Sequence, residues 1–307
     1  MSNGSNKETI ANRVSRGNGI IADIRQILDN VSLGNNYFEI AFLLRESLFL
    51  NSILSSCESW YGLTKGEITI LSRLDYSLLR YIFKTPKTVP IVALYLESGC
   101  ISIEANIKIK RIKILHHLAN LNTESMLYKF FLTQWNFPSQ KDMTEQMRLD
   151  LFDFKIPINL DYFKSISKDS FKSVVKTKAR VYEFQQLMKQ KQSLSKMNNL
   201  VYYELKMQEY LELKEFNLTV AISVFAWRIR MTSFGNNYGK QVTICPFCSD
   251  RHTDSQENSF HCNFIKSVID IEGNYQELFN QIYIPYNVSV TAHKISMFRE
   301  EFRKLSL

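Results

Sequence analysis

The sequence predicts a mainly α protein with a small zinc module near its C-terminal end, and three observations predict it. Glycine and proline are scarce, 10 and 6 in 307 residues, too few turn-formers for a many-turned β fold. Apolar residues recur at helical spacing in one segment after another from Ile20 to Met231. Finally, Cys245-Pro246-Phe247-Cys248 is followed by His252, His261 and Cys262. Thiolates two residues apart with a third cysteine and histidines nearby are the donor set of a tetrahedral zinc site.

Composition bounds the classes of function. Hydrophobic residues make up 45% of the chain, enough for a sizeable core. The net charge of +8 and a pI near 9.1 suit a polyanionic partner, and equally a basic protein without one. Of the five cysteines, three belong to the metal candidate. Cys57 and Cys100 stand alone in apolar surroundings and read as small buried residues. No disulfide framework emerges, so a reducing, intracellular location (nuclear or cytoplasmic) is expected. Residues 1–18 lack an apolar core, so no secretory signal is expected. The most apolar run, Phe38 to Leu54, is interrupted by Arg45-Glu46, so no membrane span or membrane partner is expected.

The elements follow in order. Residues 1–18, rich in Ser, Asn and Gly, read as a flexible lead-in. A helix over 19–33 carries Ile20, Ile24, Leu28 and Val31 and stops at Gly34-Asn35-Asn36. A long helix over 37–60 is apolar round most of its circumference. Thr64 and Glu67 form a capping box that opens a helix running to about Phe83, and Thr85-Pro86 and Val89-Pro90 follow it. A short helix over 90–98 has Gly99 at its cap position.

The helix over 104–121 places Ile107, Ile112, Leu115 and Leu118 on an apolar stripe. Lys110, Lys113 and His117 share another face, with Lys108 and Arg111 flanking it. Helices over 124–135 and 142–154 come next. A lysine-rich helical stretch over 162–191 buries Phe163, Phe171, Val175 and Leu187 and sets Lys172, Lys176 and Arg180 at i, i+4 and i+8 on the other side. Residues 192–199 read as a hinge. Helices over 200–214 and 219–231 follow, with Trp227 in the core and Arg228 and Arg230 at the second helix's C-terminal end. Residues 242–244 are strand-like, and 254–264 helical.

Two features could carry chemistry. The basic faces fit a phosphate backbone, or they are solvated helix surfaces. The zinc candidate takes Cys245, Cys248 and Cys262 with His252 as fourth ligand. His261 is the alternative, although its neighbour Cys262 points about 100° away on a helix. No HExxH, phosphate loop, dinucleotide fingerprint, nucleophile elbow or tight aspartate pair is present. The zinc would therefore be structural (one Zn2+ ion), with no catalytic residue and no small-molecule substrate.

A set of short stretches in fixed order resembles a known family. They are Tyr37-Phe38-Glu39-Ile40-Ala41, Trp60-Tyr61-Gly62-Leu63-Thr64, Thr85-Pro86, Ala93-Leu94-Tyr95-Leu96-Glu97-Ser98-Gly99, Arg228-Ile229-Arg230-Met231, Cys245-Pro246-Phe247-Cys248 and Asp254-Ser255-Gln256-Glu257 leading to Cys262. Over roughly 4–264 the chain resembles the region C-terminal to the palm of non-LTR (LINE-type) retrotransposon reverse transcriptases. The resemblance implies a helical thumb and connector ending in a zinc knuckle, with basic helices holding template and primer. It also implies that the catalytic aspartates belong to a palm that precedes this region. The family's pattern has a histidine four residues before the last cysteine, where this sequence has Asn258.

The expected organisation is therefore a lead-in (1–18), a thumb-like helical domain (19–135), a basic helical connector (136–241), a zinc-knuckle-like module (242–266) and a tail (267–307). The expected function is a non-catalytic nucleic-acid-binding part of a reverse-transcriptase-type protein. Its nucleic-acid residues are Lys108, Lys110, Arg111, Lys113, Lys172, Lys176, Arg180, Arg228 and Arg230. RNA or DNA would be its partner, together with a palm-containing reverse transcriptase. The alternative is a helical interaction scaffold with a structural zinc site.

Overall fold

The computed structural model describes residues 6–31, 36–60, 62–139, 142–197, 200–212, 217–229, 255–268, 277–278 and 286–305. Among these residues the fold is mainly helical. The α-helices are α1 (Lys7–Val31), α2 (Tyr37–Leu44), α3 (Asn51–Ile53), α4 (Lys65–Ile82), α5 (Ile91–Ser98), α6 (Ile103–Ala119), α7 (Met126–Asn136) and α8 (Met143–Asp153). They continue with α9 (Leu160–Ser165), α10 (Lys168–Lys191), α11 (Glu209–Glu212), α12 (Leu218–Arg228), α13 (Gln256–His261), α14 (Asn263–Val268) and α15 (Tyr286–Leu305). A π-helical turn, Arg45–Leu50, lies between α2 and α3. No helix of the described residues is long and apolar enough to cross a membrane. Two compact units, each assembled from separated stretches, comprise residues 1–25, 43–79 and 100–187, and residues 26–42, 80–99 and 188–307.

In the first unit α6 is the central rod. Ile109, Ile112, Leu115 and Leu118 pack against Phe131 and Trp135 of α7, Met147 and Leu151 of α8, Phe163 of α9, and Phe171 and Val175 of α10. The helices start where short polar side chains satisfy their open amides. Ser102 accepts from Ala105, Ser125 from Tyr128 and Asp142 from Glu145. At α4 the box is reciprocal: the Thr64 amide donates to the Glu67 carboxylate (2.8 Å) and the Glu67 amide to the Thr64 hydroxyl (3.2 Å).

Several stretches differ from the sequence reading. The helix expected over 37–60 passes through a π-helical turn and ends at Ile53, ahead of a left-handed Ser56 at φ +60°. The helix expected over 254–264 is interrupted at Cys262, whose backbone is extended. Residues 7–18 belong to α1, with Ile10 buried in line with Ile21 and Ile24. The Ser, Asn and Gly residues there hide the stripe, and Gly17 has a packing use. A Cβ at Gly17 would stand 2.8 Å from Leu74 Cδ1 and 3.1 Å from Ile53 Cγ2, so glycine lets α1 come close. The helical stretch over 162–191 is broken at Ile166, whose extended backbone separates α9 from α10. Its carbonyl lies 3.1 Å from Nε2 of His116. Residues 200–208 are not helical: Met207 makes an isolated antiparallel bridge with Ser98.

That bridge belongs to the second unit, where a buried charge organises the chain. Glu97, fully enclosed, accepts hydrogen bonds from the Tyr202 hydroxyl (2.5 Å), the Tyr210 hydroxyl (2.9 Å) and Nε of Arg228 (2.9 Å). Its carbonyl accepts from the Gln208 amide (2.9 Å). Next to it Gly99 ends α5 at φ +64°. A Cβ there would fall 2.2 Å from the backbone of Lys206 and Met207, so both conformation and space require glycine. Further on, α12 packs on α15: Nε1 of Trp227 donates to Ser296 (2.7 Å), and Ser223 lies 2.8 Å from Nδ1 of His293.

Substituting one member of the enclosed pair tests this account. Glu97→Gln leaves Arg228 buried without its counter-charge, and unfolding in denaturant should show a loss of about 3–5 kcal/mol. Replacing both residues with methionine, together with Tyr202→Phe and Tyr210→Phe so that no buried hydroxyl loses its acceptor, should cost less than Glu97→Gln alone.

Candidate nucleic-acid interface

The cations singled out in the sequence separate into two groups. Lys108, Arg111 and Arg228 are buried in ion pairs. Nζ of Lys108 lies 2.7 Å from Asp153 and 3.0 Å from Glu104, and 4.8 Å from the centre of the Tyr182 ring. Nε of Arg111 donates to Asp150 at 2.7 Å and Nη2 to the same carboxylate at 3.1 Å; its Nη1 donates to the Trp60 carbonyl. Arg228 is 0% exposed against Glu97. These charges are committed to the fold and are not presented to solvent. The helical wheel explains the separation: at 100° per residue, Lys108 and Arg111 fall on the opposite side of α6 from Lys110, Lys113 and His117. They do not flank that face. Asp150 and Asp153 on α8 repeat the i, i+3 spacing of Lys108 and Arg111, and that match is the signal in the sequence.

The second group converges in the first unit. Lys113 and His117 of α6 and Lys172 and Lys176 of α10 are exposed, and Lys110 and Arg180 are half-buried. Two clefts share Lys113 as a lining residue. One, of about 250 Å³, is lined by Arg45, Lys110, Lys113, Lys176 and Arg180, with Glu46 as its carboxylate. The other, of about 420 Å³, is lined by Lys113, His117, Lys168 and Lys172 around the apolar Ile166 and Phe171. Together they make a cationic seam between α6 and α10. Lys168 and Arg45 belong to it and were not among the residues expected from sequence; Lys168 sits one turn before Lys172.

The fold holds several of these groups in place. The Lys110 ammonium donates to the Leu54 carbonyl at 2.9 Å. Arg45 is bidentate to Asp75 (2.7 and 2.6 Å) and also donates to the Ile101 carbonyl. His116 is buried beside the seam, its ring stacked on Phe171 at 4.8 Å. Partial burial, and then the charges of Lys172, Lys176 and Lys110, lower the pKa of Lys113. Lys172 also pairs with Asp169 on its own helix at 2.9 Å, an exposed contact of little energetic weight.

Of the expected zinc ligands, Cys262 is buried at the C-terminal end of α13, one turn beyond Asn258. His261 is exposed. Cys245, Cys248 and His252, like Arg230, lie outside the described residues. Among the described residues no group of three or more His, Cys, Asp or Glu side chains is placed to hold a metal.

Behind the seam, Glu183 of α10 is buried and accepts from the Ser102 hydroxyl at the start of α6 (2.9 Å). Burial raises its pKa to about 7; the Ser102 hydrogen bond opposes this and Glu104 adds to it. A carboxyl whose folded pKa is raised contributes stability that is fully present below the unfolded value, about 4.3, and lost as pH rises through about 7. Chemical denaturation across pH 4–8 should show stability falling between these two values. Glu183→Gln should remove that component and be more stable above pH 7, by up to about 3 kcal/mol.

Searches against protein-family models, curated proteins and solved structures find no match to the chain, so the functional reading rests on this seam and on the order of the sequence motifs.

Proposed function

We propose that the first unit binds the sugar–phosphate backbone of nucleic acid along the α6–α10 seam. The observation that carries this reading is the convergence of Lys110, Lys113, Lys172, Lys176 and Arg180 from two helices, with His117 and Lys168 beside them. The nearby acids Glu104, Asp150, Asp153 and Glu183 are engaged with Lys108, Arg111 and Ser102. Binding is electrostatic: each cation that meets a phosphate releases a condensed counterion. Contacts of this kind position a strand without reading its bases, so sequence preference is slight.

In keeping with the resemblance to reverse transcriptases of the non-LTR class, the chain holds template or primer, and a palm-containing polypeptide supplies the polymerase chemistry. The same reading includes one structural zinc on Cys245, Cys248, His252 and Cys262. Elemental analysis should then find about one zinc per chain, lost in Cys245→Ser.

Mobility shift in graded salt tests the seam. With five phosphates neutralised, the slope of log affinity against log salt should be roughly −3.5 for a single strand and −4.5 for a duplex. Lys113→Ala should reduce that slope by about one. Lys108→Met should leave the slope unchanged and lower the melting temperature instead. Absence of any salt-sensitive shift would overturn the proposal in favour of a helical interaction scaffold.

A further inference from the structure

The smaller cleft of the seam differs from the open face beside it. Three elements wall it: the π-helical turn and α3, with Arg45, Glu46 and Asn51; α6, with Lys110 and Lys113; and α10, with Lys176 and Arg180. Its volume of about 250 Å³ is room for roughly eight waters at about 30 Å³ each, enough for a phosphate group and part of its hydration. Arg45 is neutralised by Asp75. Arg180 also lines the cleft and has interactions of its own. The three lysines Lys110, Lys113 and Lys176 against the carboxylate of Glu46 give a surplus of two positive charges. Lys113 and Lys176 make no ion pair or hydrogen bond among the described residues. The wall formed by Arg45–Leu50 is a π-helical turn, a widened backbone that recurs at functional sites.

We infer that this cleft is a site for a terminal phosphomonoester, the phosphate-bearing end of a nucleic-acid strand. The inference rests on the proposed reading of the seam and deepens it. An internal phosphodiester carries one charge and is esterified on both sides, so its strand must run on; the open α6–α10 seam suits it. A terminal phosphate carries about −1.5 to −2 charges near pH 7 and has a single ester bond. It can point into a cleft walled on three sides, and its charge better matches the surplus there. Lys110, already aligned by the Leu54 carbonyl, and the exposed Lys113 and Lys176 are its donors.

The test uses the full chain and three forms of one short single-stranded oligonucleotide, ending in a 5′-phosphate, in a 3′-phosphate, or in hydroxyls at both ends. Fluorescence anisotropy at fixed salt should show one phosphate-ended form binding about ten-fold or more tighter than the hydroxyl-ended one. Lys176→Ala combined with Arg180→Ala should abolish that preference, whereas Lys178→Ala, an exposed cation on α10 outside the cleft, should keep it. Circular dichroism verifies that both variants fold.

Equal, salt-sensitive binding of all three forms overturns the cleft and leaves the seam standing. A preference that survives the double substitution also overturns the cleft. Inorganic pyrophosphate that displaces phosphate-ended and hydroxyl-ended strands equally well would make the occupant a free anion rather than a strand end, and would overturn the inference. No salt-sensitive binding of any strand overturns the seam, and the cleft with it.

Discussion

Two parallel ion pairs set the rotation of α6, and the seam depends on that rotation. Lys108 meets Asp153, and Arg111 meets Asp150. Residue numbers rise along one helix as they fall along the other, so α6 and α8 run antiparallel at this contact. A helix that fixes Lys108 and Arg111 inward must turn Lys110, Lys113 and His117 outward, because the two sets lie on opposite sides of the wheel. The pairs are a poor source of net stability. Desolvating two charges offsets most of what their attraction returns. Their effect is on register: an α6 rotated by one residue would bury an unpaired lysine.

The same economy of charge shapes the second unit. Glu97 is enclosed, and an ionised carboxylate in that position needs several donors. Tyr202, Tyr210 and Arg228 supply them. Tyr202 and Tyr210 are eight residues apart, and both reach Glu97 because the chain between them bends at 203–205 and bridges to Ser98 at Met207. A helix over 200–208 would turn successive side chains through all directions and leave Met207 unable to bridge to Ser98. The demand of one buried acid for partners is therefore what overrides the helix expected over 200–214.

Local signals made much of the helical frame legible in the sequence. Thr64 with Glu67 and Gly99 after Ser98 mark helix ends by chemistry that acts within four residues. The misses are positions where distant partners decide. Gly17 reads as a breaker until Leu74 and Ile53 are seen against it. Ile166 reads as part of a continuous stripe until its carbonyl is found beside His116. The convergence of Lys110, Lys113, Lys172, Lys176 and Arg180 was half legible: each helix showed its own row of cations, but nothing local set the two rows side by side. Sorting Lys108 and Arg111 out of that face needed only the wheel and the matching acids of α8. The burial of Arg228 needed Glu97, 131 residues away in sequence.

A surplus of +8 spread evenly over 307 residues would do little beyond keeping the chain soluble. Here local charges are sorted by side. Around α6 the acids Glu104, Asp150, Asp153 and Glu183 meet Lys108, Arg111 and Ser102, which leaves the outward cations less compensated than the overall composition implies. The cost appears at Lys113, whose lowered pKa records partial loss of hydration and repulsion from Lys172, Lys176 and Lys110. Salt screens such repulsion only beyond about 8–10 Å, so a polyanion with its charges between the cations would remove it more completely. On the proposed reading, an anion along the seam would relieve this repulsion, and part of its binding free energy would come from that release.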